Sequence, residues 1–454
     1  MELIANALAS FSDWIWGYPL LILLIGGGIY LVVHSGLAPF RFFWHAVEIV
    51  AGKHDDPDEK GKISHFEALS QALASSVGMG NISGVAVAVV MGGPGAIFWM
   101  WMSAAVGMIT KYYSCSLAIM YRGKDSSGQW QGGPMYVIRE ALPKWTHGLA
   151  VLFCLCGLLG VLPIFQSNQL TQIVRDVVFI PMGWATVDAH FTTDFIFGIF
   201  IMILVSAVIF GGLQRIVMLA SKIVPFMVVV YVVSVLIIIS IHITEVPEYL
   251  LLIVTDAFTA NSVLGGAVGS LILLGVRRAA FSNEAGIGTA PMAHGAARTN
   301  EPIKEGLVAM MGPAIDTLLV CTMTALAILM TGVWKTTDAN GVSLTLQAFA
   351  TDLGGFGTAL LFISVISFAF SSLFAYSWYG RICTGYLLGA DKDHWYNWFY
   401  VATILIGAVI SMDMVVNLID SAFALMAIPT MISTIWLAPK VKARAKIYFA
   451  SVRS

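Results

Sequence analysis

Apolar residues in this chain gather in runs too long for one face of a soluble helix. A helix needs about 20 mostly apolar residues to cross a bilayer. Eleven stretches approach or exceed that length, near 18–36, 67–91, 95–121, 147–180, 193–212, 216–242, 262–294, 304–332, 356–388, 394–412 and 415–438. The polar connections between them are mostly short, and the longest, Lys53 to Lys62, reads as a charged hinge. The pattern predicts an all-α integral membrane protein with no separate soluble domain. Its expected parts are an N-terminal transmembrane helix and cytoplasmic linker (1–66), a first set of five helices (67–242), a second set of five (262–438) and a basic cytoplasmic tail (439–454).

Two spans carry interruptions that a continuous helix tolerates poorly. The first is Ser75-Ser76-Val77-Gly78-Met79-Gly80-Asn81-Ile82-Ser83-Gly84; the second runs from Phe281 through Ser282, Asn283, Glu284, Gly286 and Gly288 to Pro291. Inside a helix glycine costs about 1 kcal/mol and proline about 3 kcal/mol relative to alanine. Backbone groups freed at membrane depth are tolerated where they face protein or a watery cavity. The alternative is a pair of kinks lined by small residues for close packing. With the first helix set aside, the breaks fall in the first and sixth of ten helices. Five is odd, so the second set enters the membrane from the opposite side. That is a five-plus-five inverted repeat, inferred from helix count and break position; no repeat is evident residue by residue.

Composition agrees with the spans. Hydrophobic residues make up 58% of the 454 and charged residues 11%, against about 25% charged in soluble domains. Lipid must therefore be the solvent for most of the surface. A soluble enzyme, a nucleic-acid binder and a secreted disulfide scaffold are excluded, and a net charge of −2 points to no polyanionic partner. The cysteines (115, 154, 156, 321 and 383) all lie in or beside apolar runs without zinc-finger spacing. The first apolar run lacks a preceding Lys or Arg and reads as a retained anchor. Lys and Arg crowd the connections on one side, from Arg41 and Lys53 to Lys440 and Arg453, leaving Arg175 and Lys335 on the other. The N-terminus is expected outside and the C-terminus inside.

The breaks have a chemistry. N–H groups at a half-helix start suit a carboxylate, and unwound carbonyls suit a small hard cation such as sodium. Together they would hold a zwitterion beside a cation, the requirement of amino-acid symport. Ionisable residues at membrane depth are functional candidates by default. Glu284 is expected to shape the second break by accepting backbone N–H bonds, with Arg277 or Arg278 pairing to it; the alternative is that it carries a proton. Asp316 is expected to pair with one of these arginines or with Lys111. Asn283 is a candidate substrate contact, since a carboxamide both donates and accepts. Phe98-Trp99-Met100-Trp101 covers every face of a helix and reads as packing. The scattered histidines lack His-Glu-x-x-His spacing.

Several motifs resemble one family. They are Gly92-Gly93-Pro94-Gly95-Ala96-Ile97-Phe98-Trp99-Met100-Trp101 with Gly107, the Gly78-x-Gly80-Asn81 break, and Arg278-x-x-Phe281-Ser282-Asn283-Glu284-Ala285-Gly286. Asp316-Thr317 and Phe370-Ser371-Ser372 with Tyr379-Gly380 complete the set. Over about residues 15–440 the chain is similar to the alanine-or-glycine:cation symporters, the sodium:alanine symporter family. The resemblance implies a leucine-transporter-like fold with an added N-terminal helix, in a prokaryotic plasma membrane. It also implies sodium-driven, sometimes proton-driven, uptake of a small neutral amino acid. Carried over, the pocket would use the backbone of Met79, Gly80 and Asn81 for the substrate carboxylate, with Gln166, Phe281, Asn283, Ser372 and Tyr376 around the remainder. Sodium would take carbonyls near Ala74 and Val77 with the hydroxyls of Ser371 and Ser372. Three departures bear on the substrate: Met79 stands where the family has Thr or Ser, Ala375-Tyr376 where it has Gly-Trp, and Gln166-Ser167-Asn168-Gln169 where it has Gln-Ala-Asn-Ser. Alanine or glycine leads, with a larger neutral amino acid such as glutamine as alternative. A channel or receptor-like protein is the runner-up class and an intramembrane enzyme the third, although no nucleophile–base pair is recognisable.

Overall fold

The computed structural model describes residues 2–56, 58–259 and 267–453. It opens with α1 (Glu2–Ile15), the spanning helix α2 (Tyr18–Ser35) and the short α3 (Phe43–Val50). The first broken span is α4 (His65–Ser76) and α5 (Gly80–Gly92), bent by 51°. After it come α6 (Gly95–Met120), a hairpin of β1 (Gly123–Lys124) and β2 (Trp130–Gln131), α7 (Pro134–Ala141) and α8 (Lys144–Phe179). Next are α9 (Phe191–Ile209), α10 (Gly212–Ile241) and α11 (Val246–Asp256). The second interrupted span is α12 (Ala267–Asn283) with α13 (Thr289–His294); residues 260–266 of the predicted 262–294 run lie outside the described residues. The chain ends with α14 (Pro302–Met330), α15 (Val342–Leu388), α16 (Trp395–Val409) and α17 (Met412–Arg453).

Among the described residues, seven helices are long and apolar enough to cross a membrane, or eight with α4 and α5 counted as one bent span. The runs expected at 95–121 and 394–412 also form helices, α6 and α16, although neither is among those seven, and the described part of the 262–294 run forms α12 and α13.

Local chemistry sets the helix ends. A capping box starts α4: the Glu67 N–H donates to Ser64 Oγ (3.2 Å) and the Ser64 N–H to Glu67 Oε2 (2.8 Å). Asp256, 161 residues along the chain, caps α6 by accepting the Gly95 N–H at 2.8 Å. Removing a cap costs about 1 kcal/mol, so Asp256→Ala should lower the thermal unfolding midpoint in detergent slightly without altering the fold. Gly354, at φ +58°, kinks α15. Residues 439–453, expected as a tail, continue α17 through Pro439. That stretch is anchored by Phe449, which stacks on Phe42 at 4.1 Å, and by Arg444, 2.5 Å from Glu301 at the start of α14.

Candidate functional site at two helix breaks

Helix α4 ends where Val77 leaves helical geometry, at φ −73° and ψ +89°. The turn is closed from within: the Gly78 N–H donates to Asn81 Oδ1 at 2.8 Å, and the Asn81 N–H to the Gly78 carbonyl at 3.1 Å. Gly78 is fixed by close approach, since a Cβ there would lie 2.4 Å from Ser372 Oγ on α15. Helix α5 begins with a π-helical turn over Gly80–Gly84.

The second break spans the residues between Asn283 and Thr289. Glu284 takes φ +56°, and Gly286 and Gly288 also have positive φ. A non-glycine residue in that region is uncommon and costs free energy. Three hydroxyls converge on its buried carboxylate: Thr289 Oγ1 at 2.5 Å, Ser75 Oγ at 3.3 Å and the Tyr376 hydroxyl. The Tyr379 hydroxyl lies 3.1 Å from Ser75 Oγ. Glu284 thus joins its own break to the last turn of α4 and to α15.

Asp316 on α14 joins the two breaks from the other side. Its carboxylate accepts from Asn81 Nδ2 (2.7 Å), Ser282 Oγ (2.8 Å) and Thr317 Oγ1 (2.7 Å). Asn283 Nδ2 donates to Thr317 Oγ1 at 2.9 Å, while its Oδ1 accepts the Ala285 N–H at 2.9 Å. The Asn283 carboxamide therefore keeps one donor and one acceptor position.

The ion pairs differ from expectation. Arg277 Nε sits 2.6 Å from Asp420 on α17, Arg277 also reaches Asp13 (3.0 Å), and Arg278 contacts Asp420. Neither arginine meets Glu284, because six or seven residues of helix separate them by about 9–10 Å along the axis. Asp316 is held by uncharged donors, and among the described residues no cation lies within salt-bridge distance of it. Lys111 is buried on α6 and forms no salt bridge among those residues.

Every predicted site residue is buried. Met79, Gly80 and Asn81 lie at the first break, and Ala74 and Val77 just before and in it. Phe281 and Asn283 border the second. Gln166 lies on α8 past its interruption at Pro163; its neighbour Phe165 meets the Phe281 ring edge-on at 4.9 Å, and Gln166 Oε1 has no hydrogen-bond partner among the described residues. Ser371, Ser372 and Tyr376 share one stretch of α15. Ser372 Oγ faces the first break, 3.5 Å from the Ser75 carbonyl, whereas Ser371 Oγ turns to the Phe368 carbonyl (2.9 Å) and Met227 (3.4 Å). Sequence reasoning missed Ser75, Thr289 and Tyr379, and it noticed Asp316 only as an ion-pair candidate. The hydroxyls bracketing each break were the available signal.

The sequence profile described as the sodium:alanine symporter family matches residues 1–454. The chain belongs to the sodium:alanine symporter family. An "Uncharacterized transporter" of Haemophilus influenzae is 39% identical, over 99% of this symporter and 97% of that protein. The "Sodium/alanine symporter AgcS" of Methanococcus maripaludis is 38% identical over 97% and 96% of the two chains. The "Probable sodium/glutamine symporter GlnT" of Bacillus subtilis is 32% identical over 98% and 91%. In fold the symporter is similar to MhsT, solved in complex with L-phenylalanine, with a TM-score of 0.59 at 12% identity, covering 85% of this chain and 98% of that one. The molecule is a multi-pass membrane transporter with a leucine-transporter-like fold, not an enzyme.

A separate cluster of metal-ligating groups, His45, Glu48 and His54, lies beside α3. Glu48 there is 3.0 Å from Lys53 Nζ, and that hydrogen bond and charge hold its carboxyl below the usual range. His45 Nε2 lies 2.7 Å from the Tyr448 hydroxyl. These residues are engaged with one another and with α17, away from the breaks.

Proposed function

We propose that this symporter imports a small neutral amino acid, alanine or glycine, together with sodium, by alternating access to a site between the two broken helices. The observation that carries the reading is the pairing of the breaks through Asp316 and Glu284, beside the unpartnered Gln166 acceptor. The first turn of α5 has N–H groups without intrahelical acceptors, and its dipole favours an anion. Backbone at Met79 and Gly80 would take the substrate carboxylate there, with that of Asn81 joining once its N–H leaves the Gly78 carbonyl. Gln166 Oε1 is an acceptor for the ammonium group, Phe281 an apolar wall, and Asn283 has its remaining donor and acceptor to offer. Ser372 and Tyr376 bound the side-chain end.

Sodium, as co-substrate, would take the oxygen-rich C-terminal end of α4: the carbonyls of Ala74 and Val77 and the hydroxyl of Ser372, with the Ser371 hydroxyl joining after it turns from the Phe368 carbonyl. Each sodium ion entering with the substrate would gain about 2.3 kcal/mol per 100 mV of membrane potential. In this reading the chain has eleven spans, an N-terminal helix and an inverted five-plus-five core, with the N-terminus outside and the C-terminus in the cytoplasm. A glutamine-sized substrate is the second reading, favoured by the polar Tyr376–Glu284 pair at the side-chain end.

The test is concentrative uptake into proteoliposomes under an imposed sodium gradient, with unlabelled amino acids competing and lithium or potassium replacing sodium. Saturable, sodium-dependent alanine or glycine accumulation is expected; unsaturable flux indifferent to the cation would overturn the reading in favour of a channel. Replacing both Ser371 and Ser372 with alanine should raise the half-saturating sodium concentration about tenfold or more, as loss of a hydroxyl contact to a charge worth about 1.5 kcal/mol requires. Alanine affinity should move less. Unchanged sodium dependence in that variant would put the ion elsewhere or make it a proton.

A further inference from the structure

On the side of the molecule bearing the 51–64 connection, a second polar cluster lies apart from the site. Glu305, fully buried near the start of α14, is bonded by two buried imidazoles. His294 Nδ1, on the last residue of α13, is 2.5 Å from Glu305 Oε1, and His65 Nδ1, on the first residue of α4, contacts Glu305 Oε2. One carboxylate thereby ties together the far ends of both interrupted helices.

The backbone repeats the tie. Ile63 and Ala297 form a parallel bridge, the Lys62 N–H donates to the Ala296 carbonyl at 2.8 Å, and the Arg298 N–H to the Ile63 carbonyl at 2.6 Å. Arg122, just past the end of α6, spreads its guanidinium over carbonyls of both strands, including Gly295 at 2.8 Å, Lys60 at 2.9 Å and Thr299 at 3.0 Å.

Such a cluster is a costly way to pack helices. A buried charge is tolerable only while its partners stay in place, and removing one is strongly destabilising to the arrangement that held it. A cluster of this kind resists partial opening, because separating either helix end takes from the buried carboxylate one of its two imidazole partners. We propose that His65, Glu305 and His294 form a polar seal that binds the inner ends of the two broken helices to α14. With the seal closed, the pocket cannot open inward by independent movement of one half-helix, so substrate and ion leave together. This rests on the transport reading above; the three residues act through the helices they hold and are positioning residues, not contacts of the substrate.

A native reporter lies close behind. Cys115 on α6 is buried against Ala290 of α13 and Ala309 of α14, the latter four residues from Glu305. Its thiol is accessible only if those helices part. The experiment labels the full-length symporter in proteoliposomes with N-ethylmaleimide and follows Cys115 by peptide mass spectrometry, in the native chain, Glu305→Gln and the milder His65→Gln. Alanine leak from preloaded vesicles without sodium is measured in parallel. Expected are at least tenfold faster Cys115 labelling and severalfold more sodium-independent leak in Glu305→Gln, with His65→Gln between it and the native chain. Labelling and leak within twofold of native in both variants, in protein monodisperse by gel filtration, would overturn the seal. Failure of the native chain to take up alanine with sodium would instead sink the transport reading, while the labelling comparison still decides whether the cluster holds the helices together.

Discussion

An Asp316→Ala symporter is expected to lose at least about 100-fold in sodium-dependent alanine uptake per folded molecule. The Asp316 carboxylate accepts Asn81 Nδ2 from the first break, Ser282 Oγ from the second and Thr317 Oγ1 from its own helix, all within 2.8 Å. Each is buried, and a buried donor stripped of its partner costs about 1–3 kcal/mol. Two such losses total about 2–6 kcal/mol, a range that includes the roughly 2.7 kcal/mol corresponding to about 100-fold, although Asn81 Nδ2 keeps the Asp316 backbone carbonyl at 3.1 Å. The damage falls on geometry: Asn81 Oδ1 also fixes the Gly78 N–H, so a released Asn81 side chain loosens the turn that aims the start of α5. Asp316→Asn retains one acceptor oxygen and should lie between the variant and the native chain. Uptake by the alanine variant within tenfold of native, at equal folded protein, would show that the link between the breaks is dispensable.

Replacing Gly288 by alanine should be still more damaging, through stability. Its φ is +109°, where an L-residue is strained, and a Cβ would stand 2.5 Å from both Phe153 Cε2 and Thr430 Oγ1 and 2.8 Å from Pro134 Cγ. A strained backbone position costs about 1–3 kcal/mol and overpacking a tight core costs about 1–3 kcal/mol. Their sum is a large share of the roughly 5–15 kcal/mol that hold a typical protein folded. The expected result is a steep loss of monodisperse protein in detergent and a lower unfolding midpoint in whatever survives. A midpoint within a degree or two of native would mean that this break rearranges freely.

Both breaks were legible because glycine and proline announce themselves at short range. Gly78, Gly80, Gly286, Gly288 and Pro291 sit where the helices stop or restart. The long spans were legible for the same reason, since a continuous apolar run needs no partner to be recognised. What holds the breaks was not, because the partners are far along the chain. Ser75 reaches Glu284 across 209 residues, and Asn81 reaches Asp316 across 235. Charge pairing misled for a related reason: Arg277 and Arg278 are near Glu284 in sequence, yet their acid is Asp420 on α17. The hairpin Gly123–Lys124 with Trp130–Gln131 has strands of two residues, too short for any alternating pattern to register. Helix α1, Glu2–Ile15, was hidden because it is too short to cross a bilayer. Continuation of α17 past Pro439 depends on Phe42 and Glu301, contacts from other parts of the chain.

Glu284 combines an unfavourable backbone with an engaged side chain, and that combination sets engineering for robustness against engineering for transport. Judged by torsion alone, glycine or asparagine suits position 284 better, and a stabilisation effort guided by backbone geometry would be drawn to that exchange. Glycine would leave Thr289, Ser75 and Tyr376 without the carboxylate that gathers them. A hardier variant obtained there would have exchanged its moving parts for durability, and screens for improved specimens should monitor turnover alongside melting.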